Sequence, residues 1–144
     1  MAKHSIYTTI KINATPDSVW NVLTDFDKYP EWNSFINTIT GKLSVGKQIT
    51  VQLPGMTFKP RVLTVEKDSE LKWLGSLLFK GLFDGEHRFL LIDNKDGTTT
   101  LEHSENFSGV LVKLFSGKLD NETKAGFEQM NEQLKQRAES VQTT

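Results

Sequence analysis

The sequence predicts a single α+β domain in which an antiparallel sheet is covered by a long C-terminal helix. Three observations predict this fold class: an alternating strand pattern near the N-terminus, six further strand patterns joined by short connections, and an apolar helical stripe near the C-terminus. Short connections favour antiparallel hairpins, and the terminal helix is long enough to cover the apolar face of the sheet. At 144 residues, the chain suits one domain spanning 1–144.

Composition and charge restrict the class of protein. The chain is 37% hydrophobic and 24% charged, and its formal net charge is -1. This balance is typical of a globular domain and offers no excess positive charge to a nucleic acid or an anionic membrane. The absence of cysteine excludes disulfides and thiolate sites. With no hydrophobic signal core and no membrane-length apolar run, we expect a cytoplasmic protein without stable membrane association or a nucleic-acid partner.

The first elements are a strand and two short helices. Residues 5–12 alternate between inward and outward side chains, as a half-buried strand does. Segment 15–17 supplies a capping hydroxyl, a proline and an acidic side chain, which together favour a helix start. Apolar residues at helical spacing continue to Phe26. A second short helix or turn is predicted over 27–32, where Pro30 is expected to stop it.

Strands dominate the middle of the chain. Turn-forming residues such as Pro54-Gly55 and Asp96-Gly97 separate them. The predicted strands are 35–40, 48–53, 58–66, 70–74, 83–92 and 98–107.

A long amphipathic helix is predicted over 119–138. Its start is open, because Leu111 and Phe115 extend the stripe upstream, whereas Ser116-Gly117 can interrupt it. The apolar stripe comprises Leu119, Phe127, Met130, Leu134 and Ala138.

The last hairpin carries the candidate chemistry. His87 shares a strand face with apolar neighbours, and His103 and Glu105 share a face of the next strand. Two registers keep these faces together. A five-residue loop at 93–97 places His87 opposite His103, and a three-residue loop at 95–97 places it opposite Glu105. In either register the three side chains cluster.

Two interpretations of this cluster are open. In one, an imidazole oriented by Glu105 serves as a general base. In the other, which we favour, the polar groups satisfy one another in a partly buried core. A metal site built from both histidines and the glutamate is the weakest alternative, so we predict no metal or cofactor. The chain has no glycine-rich phosphate loop and no Ser/His/Asp triad, so ATP and NAD are not expected.

Several motifs resemble those of the START-like or Bet v 1-like superfamily. They are 15–20 (TPDSVW), 25–32 (DFDKYPEW), 85–89 (GEHRF), 103–109 (HSENFSG) and 126–131 (GFEQMN). The last three are similar to its polyketide cyclase and dehydratase (SRPBCC) branch. The resemblance covers nearly the whole chain and implies a helix-grip fold, with two short helices after the first strand. In this fold a curved seven-stranded antiparallel sheet surrounds the C-terminal helix, and an apolar cavity opens at one end.

A mobile apolar lid is expected at the entrance of that cavity. Connections 54–58 and 75–83, the latter with Leu77, Leu78 and Phe79, are more apolar than loops that merely face water. In the resembled fold they meet the start of the last helix, here Leu111, Leu114 and Phe115. Gly75 and Gly81 are expected to permit movement, and Met56 to adapt to different ligands. The alternative is a permanently packed lid.

These expectations lead to a hypothesis of function. We expect binding of a small hydrophobic molecule, whether aromatic, lipid or acyl, in the internal cavity. One alternative is a polyketide cyclase or dehydratase type of enzyme, with His87, His103 and Glu105 as catalytic residues. A second is an interaction module similar to chaperone activators. In this hypothesis Trp73 offers a flat surface to a ring, although we favour a packed core position for it. Arg61 meets a carboxylate or phosphate, or else lies on a solvated strand face. The expected ligand contacts are Met56, Phe58, Arg61, Trp73, Leu77, Phe79, Phe89, Leu111, Phe115, Phe127 and Met130.

Overall fold

A strand and two short helices open the fold, as the sequence predicts. The computed structural model describes residues 3–77 and 79–142, without the last side chain of that range. Pro30 lies in the first turn of the second helix and does not stop it, because a missing amide hydrogen costs nothing at that position. The opening elements are β1 (Lys3–Ile12), α1 (Pro16–Thr24), a 3-10 turn (Phe26–Lys28) and α2 (Tyr29–Trp32).

The strands form two antiparallel sheets, so the prediction of one seven-stranded sheet is wrong. The larger sheet has the order β1-β8-β7-β6-β5, and the smaller has the order β2-β3-β4. The strands of the smaller sheet are β2 (Thr38–Thr40), β3 (Thr50–Leu53) and β4 (Met56–Phe58). The remaining strands are β5 (Arg61–Glu66), β6 (Glu70–Ser76), β7 (Asp84–Asp93) and β8 (Thr99–Ser108).

The break between the sheets lies at Pro60. A single strand is predicted over 58–66, but β4 ends before this proline and β5 begins after it. Proline has no amide hydrogen to donate to a strand ladder. Backbone bonds still join the sheets beside the break: the Ile49 amide donates to the Pro60 carbonyl at 3.0 Å, and the Val62 amide donates to the Lys47 carbonyl at 2.9 Å.

The C-terminal helical segment starts earlier than 119–138. It consists of α3 (Val112–Lys118), a π-helical turn (Leu119–Thr123) and α4 (Lys124–Gln142). Ser116-Gly117 does not interrupt α3, and the irregularity lies in the π turn that follows. The predicted stripe from Leu119 to Ala138 is buried throughout. The α+β class with a long C-terminal helix is thus confirmed.

The core divides into two apolar clusters. The larger one packs α1 and α4 against the five-stranded sheet and includes Phe89, Leu101 and Met130. The smaller one lies around Phe107 and Phe127. The space between sheet and helix is therefore filled over the larger cluster. In the part of the chain described, no helix is long and apolar enough to cross a membrane.

Candidate functional site: a cavity with a buried polar wall

A cavity of about 450 Å³ lies at the end of the sheet beside the smaller cluster. The three-stranded sheet forms one side of it, and the ends of β6, β7 and β8 form another. The start of the C-terminal helical segment completes the wall with Phe115 and Leu119, and Lys118 and Glu122 also line it. Most of the lining is apolar, which suits an apolar ligand.

The structure places part of the predicted contact set in this wall. The predicted residues that line the cavity are Met56, Phe58, Trp73, Leu77 and Phe115. The wall also contains residues outside the predicted contact set, namely Phe35, Ile36, Val51, Leu53, Phe83 and Phe107. Phe35 depends on a glycine in α4, since a Cβ on Gly126 would lie 2.4 Å from the Phe35 ring. The GFEQMN motif contains this glycine and was a usable signal.

Three predicted contacts lie in the core and not in the cavity wall. Phe89, Phe127 and Met130 are fully buried. The rings of Phe89 and Phe127 stack on the His103 ring, at centroid distances of 4.4 Å and 4.1 Å. Phe89 and Phe127 thus enclose His103 behind the wall, and Met130 fills the larger core cluster, so none of the three lines the cavity.

Arg61, Phe79 and Leu111 also lie outside the cavity lining. The Arg61 guanidinium donates to the Gly46 carbonyl at 2.8 Å, so it holds a loop rather than facing the cavity. Phe79 is 61% exposed because its loop turns it outward, and Leu111 lies half-buried just before α3.

The connection expected to form a lid is tied to the start of α3. The Val110 amide donates to the Gly81 carbonyl at 3.2 Å, and the Leu111 amide donates to the Leu82 carbonyl at 3.1 Å. Gly75 is not a loop hinge, because it lies within β6 and pairs with Gly85. The expected lid residue Leu78 lies outside the described residues.

His87 and Glu105 form the polar part of the cavity wall that the sheet contributes. The hairpin adopts the register with the three-residue loop, and His87 pairs with Glu105 across β7 and β8. The Nδ1 atom of His87 lies 3.2 Å from Oε1 of Glu105, and its Nε2 atom lies 2.7 Å from Nε2 of His103. The predicted cluster of three side chains is present. However, His103 stands behind His87 and does not line the cavity.

His103 anchors this polar wall to α4 and β1. Its Nδ1 atom lies 2.8 Å from Oδ1 of Asn131, whose amide nitrogen donates to the Thr8 hydroxyl at 2.8 Å. That hydroxyl donates to the His103 carbonyl at 2.7 Å. Burial, together with positive charge on neighbouring His87, holds the pKa of His103 well below its usual range. The His103 ring is therefore neutral near pH 7.

Gly85 makes room for the Glu105 carboxylate. A Cβ at this position would lie 2.1 Å from Oε2 of Glu105, closer than any real side chain approaches. Trp73 covers His87 on the side away from Glu105, and its ring stacks on the imidazole with a centroid distance of 5.1 Å and 24° between the planes. Gly85 and Trp73 thus restrict the positions that the His87 and Glu105 side chains can take.

The three polar side chains His87, His103 and Glu105 are not arranged as a metal site. Among the described residues, no group of three or more His, Cys, Asp or Glu side chains is placed to hold an ion. The facing Nε2 atoms of His87 and His103 are 2.7 Å apart, which is a hydrogen-bond distance and leaves no space between them for a metal.

Residues 3–139 match the family described as "Polyketide cyclase / dehydrase and lipid transport". The chain belongs to this family. The resemblance to the SRPBCC branch of the START-like superfamily is thereby confirmed. No curated protein matches the chain significantly.

Solved structures share the fold of this cyclase/dehydrase family member. A hypothetical protein from Helicobacter pylori has a TM-score of 0.81 at 17% identity, covering 94% of this chain and 88% of that one. A norcoclaurine synthase point mutant from Thalictrum flavum, in complex with a transition state analogue, has a TM-score of 0.77 at 13% identity, covering 98% of this chain and 97% of that one. A START superfamily protein from Mycobacterium smegmatis has a TM-score of 0.69 at 18% identity, covering 96% of this chain and 99% of that one. At such identities the likeness shows the fold alone.

Proposed function

We propose that this family member binds a small hydrophobic molecule, built on an aromatic ring or an acyl chain, in the cavity. The cavity itself carries the proposal. Its volume of about 450 Å³ lies within the roughly 300–1,000 Å³ of ligand pockets, and apolar side chains form most of its wall. The lipid transport named in the family description supports the same class of ligand.

Trp73 favours a ring over a purely linear chain. It lines the cavity and is held against His87 and Phe89, so its ring has little freedom to move. A rigid aromatic surface offers contact area without a large loss of side-chain entropy on binding. A planar ligand is the best match to such a surface.

Calorimetry with 2-methoxynaphthalene tests this function. Phe115→Asp places a charge in the cavity wall and is expected to abolish binding. Phe79→Asp is the matched control, because Phe79 is exposed and outside the cavity, so this variant should bind as wild type does. Thermal melts establish that both variants fold. Equal binding by wild type and Phe115→Asp, or no binding of this probe and of a medium-chain acyl ester by wild type, would contradict the proposal.

A second candidate is an enzyme of the cyclase or dehydratase type. The observation that favours it is the His87/Glu105 contact of 3.2 Å at the cavity wall. Such a pair can move a proton beside a substrate carbonyl. His103 would orient His87, since His103 does not line the cavity. Turnover of a β-keto thioester that is lost in His87→Phe, with 2-methoxynaphthalene binding retained, would favour this candidate over simple binding.

A further inference from the structure

The hydrogen bonds behind His103 have a fixed direction. Thr8 has one hydroxyl hydrogen, which it donates to the His103 carbonyl, so its oxygen must accept from Asn131. Asn131 therefore turns its amide nitrogen toward Thr8 and its oxygen toward Nδ1 of His103. An amide oxygen only accepts hydrogen bonds. It follows that Nδ1 of His103 carries a hydrogen.

Two more contacts in the chain each need a hydrogen. One is the contact between the Nε2 atoms of His87 and His103, and the other joins Nδ1 of His87 to Oε1 of Glu105. Neutral imidazoles carry one ring hydrogen each, which supplies two hydrogens for three contacts. A third proton is required, because otherwise two lone pairs would face each other in a buried site. It resides on His87, opposite a carboxylate, or on Glu105 itself.

The second oxygen of Glu105 has a different environment. In both arrangements the third proton lies between Nδ1 of His87 and Oε1, so Oε2 carries no hydrogen. Within the residues that the structure describes, Oε2 has no hydrogen-bond partner. Glu105 lines the cavity, and its side chain is only 16% exposed. Glu105 therefore lines the ligand space with a mostly buried side chain, and one oxygen of its carboxylate is unpaired.

We propose that Oε2 of Glu105 selects an apolar ligand that carries a hydroxyl group, such as a phenol. A hydroxyl hydrogen satisfies the unpaired oxygen, which an ether or a hydrocarbon leaves unsatisfied. A ligand carboxylate brings further acceptor atoms and a negative charge to the same place. His87, His103, Asn131 and Thr8 act as positioning residues. This inference rests on the proposed function, since it names the group that the bound molecule presents.

Paired probes in calorimetry test the inference. Wild type is expected to bind 2-naphthol about tenfold more tightly than 2-methoxynaphthalene, as one hydrogen bond to a buried acceptor allows. Glu105→Leu should reduce this ratio to about one while 2-methoxynaphthalene binding persists. Glu105→Gln should retain part of the preference, because its amide can donate to Nδ1 of His87 and turn its oxygen to the cavity.

Asn131→Leu tests the positioning residues. A purely structural effect weakens both probes alike, whereas loss of the directed chain lowers the ratio of their affinities. We expect the ratio to fall.

The outcomes separate this inference from the proposed function. Equal affinity of wild type for 2-naphthol and 2-methoxynaphthalene, or tighter binding of 2-naphthoate than of 2-naphthol, overturns the hydroxyl inference and leaves apolar binding in place. No binding of any of these probes overturns the proposed function as well. An unchanged ratio in Glu105→Leu shows that another group recognises the hydroxyl.

Discussion

The Nε2 atoms of His87 and His103 lie 2.7 Å apart, so one imidazole must donate to the other. This contact links a residue of the cavity wall to one that is completely buried. Through Asn131, the same chain continues into α4, the helix that fills the core. The polar wall of the cavity is therefore part of the packing between the sheet and the helix.

Stability should fall as the pH is lowered, and His103 is one cause. The pKa of folded His103 lies well below the ordinary value of 6.5. Below pH 6.5 the unfolded chain binds a proton at this residue that the folded protein does not bind. The free energy of unfolding therefore falls. We expect a loss of about 1.4 kcal/mol per pH unit between pH 6.5 and the folded pKa, and no contribution above pH 6.5. Urea unfolding at a series of pH values measures it.

His103→Gln is the control for this pH dependence. It removes the titrating ring, so its stability should change less steeply below pH 6.5 than that of wild type. His87 and Glu105 are the titratable side chains in the same hydrogen-bond chain, and both remain in the variant. An identical pH dependence of the free energy of unfolding in wild type and His103→Gln would show that His103 binds its proton equally well in the folded and unfolded states.

Gly85→Ala should displace the Glu105 carboxylate with little loss of stability. The new Cβ would meet Oε2 at 2.1 Å, and the end of a flexible side chain can move away. The contact between Glu105 and His87 is then expected to break. Nitrogen-15 NMR of the His87 ring should report a changed protonation pattern, while the melting temperature stays within a few degrees. An unchanged His87 spectrum would mean that the carboxylate does not depend on Gly85.

Tyr29→Phe should destabilise the protein by about 1–3 kcal/mol. The buried Tyr29 hydroxyl donates to the Leu23 carbonyl at 2.5 Å, and its removal leaves that buried acceptor without this partner. Tyr7→Phe is the matched control, because Tyr7 is exposed and should change stability by less than about 0.5 kcal/mol. Urea denaturation compares the two, and equal effects would argue against the buried bond.

Met130→Asp should destabilise by about 3–5 kcal/mol or prevent folding, because it places an unpaired charge in the larger core cluster. Phe79→Asp should leave stability nearly unchanged, since its side chain is mostly in solvent. Thermal melts distinguish the two. A large loss from Phe79→Asp would indicate that the 77–83 connection closes over this residue in solution.

The periodicity of apolar residues predicts most of the strands and helices. It does not show where the sheet divides, for which Pro60 is the signal. The alternating strands and the helical stripe depend on local spacing, and a sequence displays local spacing directly. The sequence does contain a signal for this division, since a proline within a predicted strand argues for an interruption at that residue. The π turn after Lys118 has no comparable signal, because the residues of this turn suit an ordinary helix equally well.

The polar site was predicted only in part, for a similar reason. His87 and Glu105 belong to one hairpin, so loop length and alternation place them together. Thr8 and Asn131 are separated by 123 positions and meet only because α4 packs on β1. A pattern confined to neighbouring residues cannot identify such a pair. The inward position of Thr8 in its strand was the available hint.

A crystal structure of the protein with 2-naphthol would locate both the ring system and the hydroxyl group of the ligand. We expect the rings to lie in the cavity beside Trp73 and Phe107. We expect the hydroxyl oxygen to lie about 2.5–3.0 Å from Oε2 of Glu105. A ligand seated outside the cavity would contradict apolar binding at this site. Rings inside the cavity with the hydroxyl directed at Lys118 or Glu122 would contradict the role of Glu105.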